Sequence, residues 1–458
     1  MDRANLLHSE NPATGEPLAE YRAHSEQGLH ARLERCAEAF EEWSKRPVEA
    51  RAGVLLRAAG LLRERRDELA RLATLEMGKT LASAEAEVEK CAWACEHFSC
   101  EAPALLAREP VATDARDSAV RHDPLGVLLA IMPWNFPYWQ AFRAAAPALA
   151  AGNTVALKHA SNVTGCALVM ERLWHDAGLP DAAFTVLLAA GERATALVAH
   201  PAVAAVTLTG SEPAGAAVGA ACGRALKKCV LELGGSDAFV VLADADLAEA
   251  ARQAALARIL NNGQSCIAAK RFVVVESVAE EFERYLKAAL GALRMGDPLR
   301  RDTDLGPLAR PDLVAELHRQ VRESLAAGAR LELGGEPAPG PGCFYPATLL
   351  TGVEPGMPAF DEETFGPLAP VTRARDTAHA IELANRSRFG LGASLWTADL
   401  DAARGLERSL EVGSVFVNAT VRSDPRLPFG GVKRSGHGRE LGRWGLREFV
   451  NVKTVWSD

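Results

Sequence analysis

A chain of 458 residues exceeds the size at which a single apolar core stops growing, so two or three domains are expected. Its 48% hydrophobic and 24% charged residues are the balance of an ordinary globular protein and exclude a disordered one. A formal net charge of −8 excludes the basic stripe of a general nucleic-acid binder, while leaving room for local phosphate sites.

The first residues, Met1 to Glu16, show no basic start followed by an apolar stretch, so no secretory leader is expected. No run approaches the roughly 18 apolar residues of a membrane span. From about Ser25 to Glu101, apolar residues recur at three- and four-residue steps (Leu55, Leu56, Ala59, Leu62, Leu69, Leu72), which is helical spacing. Cys91, Cys95 and Cys100 lie on this segment without the paired spacing or nearby histidines of a zinc site; core or half-buried thiols are expected, and no metal. Nine irregularly spaced cysteines make no disulfide framework, and the expected compartment is reducing, the cytosol.

A different rhythm begins at Gly126–Met132, an apolar run with proline on both sides, as in a buried strand. Further runs follow at Thr154–Leu157, Thr185–Leu188, Ala204–Leu208 and Cys229–Leu231. Helical stretches separate them at Thr164–Ala177, Arg193–His200 and Pro213–Cys222, while Ala144–Ala151 reads as a core helix. Such alternation implies parallel βαβ units whose strands are covered on both faces. After Gly234 the alternation restarts, with strands at Ala238–Leu242 and Phe272–Val275 and helices at Leu247–Leu260 and Val278–Leu293. The Gly/Pro-rich stretch Gly334–Gly342 is a surface loop. Asn451–Trp456 alternates like an exposed edge strand, which is usually covered, so a pairing element or subunit is expected.

Four local patterns carry chemistry. Asn261-Asn-Gly-Gln-Ser-Cys266 places a thiol after a glycine turn that ends a helix, and a thiolate can add to a carbonyl carbon. Alone, Cys266 is one of nine cysteines. Val230-Leu-Glu232-Leu-Gly-Gly235 ends an apolar strand in a carboxylate followed by two glycines. Apolar flanks would raise its pKa toward that of a general base; the plainer alternative is a solvated strand end. Pro133-Trp-Asn135-Phe-Pro137 holds an uncharged amide donor in a stiff loop, suited to an oxyanion, or is only a rigid aromatic turn. Thr209-Gly210-Ser211 opens a helix where a phosphate could sit, or is only a cap. The fingerprint G-x-G-x-x-G does not occur.

In combination, P-W-N-F-P, L-K-x-A, T-G-S-x-x-x-G, L-E-L-G-G, G-Q-x-C, E-E-x-F-G-P and P-F-G-G-x-K-x-S-G, in this order, resemble the aldehyde dehydrogenase superfamily along almost the whole chain. The resemblance implies an α/β fold: a Rossmann-type parallel-sheet cofactor domain (1–110 and 124–233), an α/β catalytic domain (234–430) and a small β oligomerisation element (111–123 and 431–458). It implies that Cys266 attacks an aldehyde and that Asn135 and the Cys266 backbone N–H hold the oxyanion. Hydride then passes to a nicotinamide, and Glu232 activates the water that hydrolyses the thioester. Cofactor contacts carry over to Trp134, Lys158, Ser161, Gly210, Ser211, Glu363 and Phe365, with Leu233 lining the nicotinamide pocket.

Where NAD-preferring relatives commonly read K-P-A-E, this chain reads Lys158-His-Ala-Ser161, which lacks the carboxylate that would repel a 2′-phosphate. NADP is therefore the expected cofactor, with NAD as the alternative. Lys158-His-Ala, Met295-Gly-Asp-Pro298 and Arg439-Glu-Leu441 look most like compact bacterial succinate-semialdehyde dehydrogenases. Arg143 matches the arginine with which those enzymes hold the distal carboxylate, and a guanidinium offers that group a bidentate fork. Six residues before Cys266, where some relatives carry a second arginine, stands Leu260, so Arg143, Ser423 and Arg426 are the expected substrate contacts. The alternative for Arg143 is pairing with a nearby acid, in an enzyme for aliphatic or amino-aldehydes. A non-catalytic binding protein of this fold would be expected to lose the thiol or the carboxylate, and both stand. A homodimer or homotetramer, with no nucleic-acid or membrane partner, completes the expectation.

Overall fold

Val127–Met132 is buried at every position, which only a sheet covered on both faces can satisfy. In the computed structural model, which describes residues 6–458, this strand is central in a six-stranded sheet. Residues 1–5 of the expected cofactor domain lie outside the described residues. The strand order is Gly436–His437, Lys228–Glu232, Val203–Thr209, Val127–Met132, Thr154–His159 and Phe184–Val186. All neighbours are parallel except the Gly436–His437 edge. From Val127–Met132 the chain builds outward on one side, then crosses to build the other. The crevice at the carboxyl ends of Val127–Met132 and Val203–Thr209 is therefore the place where such sheets bind ligands.

The helix that follows, Trp139–Ala151, is buried at all 13 of its residues and ends at Gly152, whose left-handed φ of 99° closes it. Helices Glu26–Trp43, Val48–Glu64, Arg66–Met77 and Leu81–Leu105 fill the expected N-terminal helical region. The last three share one apolar core with Trp139–Ala151, while Leu29, Leu33 and Cys36 of the first pack against the other sheet face.

A second sheet of seven strands runs in the order Arg330–Leu333, Thr348–Thr351, Leu368–Ala374, Ala269–Val275, Asp237–Val241, Gly392–Trp396 and Ser414–Val417. Only its Arg330–Leu333 edge is antiparallel. Helices Leu247–Ile259 and Glu276–Gly291 cover one face through Ala251, Ala254, Phe282 and Leu286. A third, antiparallel sheet joins Glu109–Pro110, Asp117–Pro124 and Val450–Ser457. Its C-terminal strand pairs on one side only, and Val452 and Trp456 are exposed. Residues 431–449 lie elsewhere: Gly436–His437 extends the six-stranded sheet, and helix Gly442–Glu448 packs on Trp139–Ala151. An N-terminal hairpin, Leu6–Glu10 with Pro17–Arg22, was not expected. No helix among the described residues is long and apolar enough to cross a membrane.

Candidate active site

The loop bearing Cys266 starts where helix Leu247–Ile259 stops. Asn261, Asn262 and Gly263 take φ of 57°, 58° and 78°, three successive left-handed residues. Asparagine and glycine tolerate this region best, and here the two asparagine amides also hold it in place. Asn261 donates to the carbonyls of Asn135 (2.6 Å) and Gln264 (3.1 Å). Asn262 donates to the carbonyls of Gly78 (2.8 Å) and Pro307 (2.9 Å) and accepts from Gly306 N at 3.0 Å. A Cβ on Gly263 would strike the carbonyl carbon of Gly366, so the G-Q-x-C and E-E-x-F-G-P segments meet at two glycines. Lys270, fully buried, donates to the carbonyls of Ser265 and Cys266, each at 2.7 Å, and stands 3.4 Å from Glu363. Asn135 donates to Gln264 O at 3.0 Å, tying the end of the central strand to the same loop.

Cys266 is half-buried and borders two cavities. The first, about 240 Å³, contains Trp134, Asn135, Gly210, Leu233 and Phe365 and opens on the sheet crevice; Ser211 and Glu363 also border it. Trp134 and Phe365 meet edge-to-face at 5.8 Å. Leu233 lies so close to Gly215 that a Cβ there would collide with it, which accounts for the last glycine of T-G-S-x-x-x-G. Helix Glu212–Ala225 begins at this crevice with Ser211 at its cap, the hydroxyl making no capping bond, so the helix end is available to an anion. Lys158 is the penultimate residue of the neighbouring strand, Thr154–His159. It is buried, has no ion-pair partner among the described residues, and burial alone lowers its pKa to about 8. Ser161 follows, half-buried, at the start of a short 3-10 turn. A free helix end, an unmatched buried ammonium and an aromatic-walled recess beside a thiol fit a nicotinamide dinucleotide.

The second cavity, about 380 Å³, has Lys90, Trp139, Arg143, Leu260, Ser423 and Phe429 among its walls. Arg143 lies under the ring of Phe429, 4.6 Å from its centre, and donates to Thr209 Oγ1 at 3.1 Å. Its Nε pairs with Glu440, a buried carboxylate that also accepts from Thr207 Oγ1 at 3.1 Å. Arg426 is not among the cavity walls. Its guanidinium binds Asp424 two residues away (2.7 and 2.9 Å), stacks on Trp93 and is mostly exposed. The near carboxylate captured it.

Glu232 borders neither cavity. It is 2% exposed, with both oxygens unpartnered, and one lies where a Cβ on Gly430 would be. Burial, then the charge of Glu440, pushes its pKa well above the ordinary carboxylate value, against the pull of Arg143. Burial in this position favours the neutral form of the carboxyl, and the side chain must turn toward Cys266 to act on a group there. Burial likewise raises the Cys266 thiol to about 11, with Arg143 and Lys270 pulling it down.

Three site residues escaped the sequence reading: Lys90, Lys270 and Glu440. Lys90 had a signal, since it falls three residues after Glu87 on the face of helix Leu81–Leu105 that buries Ala84, Glu87, Val88 and Cys91. Charges at core-facing helical positions need a reason. Cys91 and Cys95 are buried and Cys100 exposed.

The model of the aldehyde dehydrogenase family matches residues 2–455. A probable NADP(+) succinate-semialdehyde dehydrogenase from Synechocystis is 52% identical over 446 residues, 97% of this chain and 98% of that one. An NAD(P)+ succinate semialdehyde dehydrogenase from Escherichia coli is 48% identical over 448 residues, 98% of this chain and 97% of that one. Among solved structures, the succinic semialdehyde dehydrogenase of Streptococcus pyogenes in complex with NADP+ superposes with a TM-score of 0.96 at 35% identity, covering 98% of this chain and 99% of that chain.

Proposed function

Because the chain belongs to the aldehyde dehydrogenase family, we propose that it oxidises succinic semialdehyde to succinate with NADP, and with NAD less well. The observation that carries this reading is the position of Cys266 between two cavities, one walled by Trp134, Gly210, Leu233 and Phe365 at the sheet crevice and one by Lys90, Trp139, Arg143 and Ser423. Cys266, losing its proton, adds to the aldehyde carbon to give a thiohemiacetal. The Asn135 amide and the Cys266 backbone N–H hold the resulting oxyanion, and the bonds around Asn261 keep both donors still as charge develops. A nicotinamide cofactor, when bound, supplies the hydride acceptor. Glu232, turned inward, takes a proton from the water that attacks the thioester, and succinate and the free thiol are released.

Support for NADP comes from Ser161, which puts no carboxylate at the turn, and from Lys158, whose buried charge lacks a partner that a phosphate would supply. Trp134, Gly210, Ser211, Leu233, Glu363 and Phe365 are the further cofactor contacts in this reading, and Arg143 and Ser423 the substrate contacts. One observation favours a second reading, an uncharged aliphatic aldehyde: the charge of Arg143 is already matched by Glu440. The open edge of Val450–Ser457 supports a homo-oligomer, dimer or tetramer, built by pairing there.

The test is a spectrophotometric panel of succinic semialdehyde, glutaric semialdehyde and butanal against NADP and NAD. A kcat/KM at least tenfold higher for succinic semialdehyde with NADP is expected. A preference for butanal would sink the substrate assignment, and a tenfold preference for NAD would sink the cofactor assignment.

A further inference from the structure

We propose that Lys90, held by Ser423, is the specificity-determining cation that receives the distal carboxylate of the substrate. The inference rests on the substrate class proposed above, and it adds Lys90 to Arg143 and Ser423 as the contact that discriminates. Lys90 leaves helix Leu81–Leu105, crosses the Trp139 ring with its ammonium 4.4 Å from the ring centre, and donates to Ser423 Oγ at 2.7 Å. Lys90, Trp139, Ser423 and Cys266 border the same cavity.

Charge accounting singles out this residue. Glu87 lies one turn before Lys90 and lines the cavity, but its two oxygens are committed. One pairs with the buried Lys79, and the other accepts the backbone N–H groups of Tyr138 and Trp139, each at 2.8 Å. Asp424, beside Ser423, is held by Arg426. Arg143 is matched by Glu440. Leu260 presents an apolar wall, and Arg422 sits at the exposed rim. Lys90 is thus the interior cation of this cavity without a carboxylate partner among the described residues. Of its three N–H donors, the protein satisfies one.

A burial-weakened ammonium gains most from an anion delivered by a ligand. Burial, then the neighbouring Arg143, lowers the Lys90 pKa to about 8, while Cys91, Asp424 and Glu87 act weakly the other way. Near neutral pH the cation is present but poorly compensated. A carboxylate reaching Ser423 and Lys90 together would make two hydrogen bonds, one of them between opposite charges, and an uncharged aldehyde tail would make neither. The cavity therefore discriminates by leaving a cation unmatched unless the correct tail arrives.

The experiment compares Lys90→Met, Lys90→Arg and Ser423→Ala with wild type, using succinic semialdehyde and butanal as paired substrates and NADP as cofactor. In Lys90→Met, the ratio of the two kcat/KM values falls on the order of 10- to 100-fold, the worth of a charge-assisted hydrogen bond. The fall is carried by KM for succinic semialdehyde. Lys90→Arg restores most of the ratio, and Ser423→Ala lowers it by a smaller factor. In wild type, KM for succinic semialdehyde rises as pH passes about 8, and in Lys90→Arg this rise disappears. Should wild type prefer succinic semialdehyde while Lys90→Met keeps that preference, or lose both activities by the same factor, the role of Lys90 is overturned and the function stands. Should wild type show no preference for the carboxylated aldehyde, the proposed substrate and this inference fall together.

Discussion

Glu440→Gln separates electrostatics from shape at the centre of the site. The side chain keeps its size and one acceptor oxygen, so Thr207 can still donate to it, but the ion pair with Arg143 is lost. Two effects on Glu232 then act in the same direction. The carboxylate whose charge raises the Glu232 pKa is gone, and the opposing pull of Arg143 is no longer matched. Removing the Glu440 charge is therefore expected to lower the Glu232 pKa, burial remaining as the cause that holds it up. The acid limb of thioester hydrolysis, measured as single-turnover decay of the acyl-enzyme between pH 5 and 9, should shift to lower pH with it. Stability pays separately: leaving Arg143 buried and unpaired costs roughly 3 kcal/mol, read from the urea midpoint. An acid limb that stays in place, or moves up, while the protein is destabilised would refute the coupling of Glu440 to Glu232.

Lys158→Met should lower kcat/KM with NADP by roughly 10- to 100-fold and with NAD by much less, since the lost partner is a phosphate; initial rates with both cofactors check it. Gly263→Ala forces a side chain into φ +78° against Gly366. It should cost about 2 kcal/mol or more in unfolding and slow iodoacetamide labelling of Cys266, followed by intact mass. Val452→Glu places a charge on the open edge of the C-terminal strand, where Val452 is 62% exposed. The mass from light scattering should fall to that of a smaller species; an unchanged mass would remove this edge from the assembly.

Much of the site was legible because its residues are local to turns. Asn261-Asn-Gly263 marks the left-handed turn before Cys266, but only the resemblance of the seven ordered motifs singled that thiol out from the nine cysteines. Trp134, Asn135, Gly210 and Ser211 sit where strands end, and strand ends were readable from apolar runs bounded by proline or glycine. Pairing across the fold was not legible. Nothing in the spacing around Arg143 says that Glu440 will meet it, and Arg426 has an aspartate two residues away that competes with any ligand. Lys90 was hidden by habit: lysines on long helices are usually solvated, and only the company of Glu87 on the buried face marks it. Strands such as Thr348–Thr351 and Ser414–Val417 went unassigned. The hairpin Leu6–Glu10 with Pro17–Arg22 was missed, its strands being short and largely polar.

Having a cavity on either side of one sulfur atom gives the molecule two separate approaches. Traffic in one need not wait for the other to clear. A molecule lodged beside Trp139 obstructs the incoming aldehyde yet leaves the path past Trp134 open, so it should compete with one reactant and not with its companion.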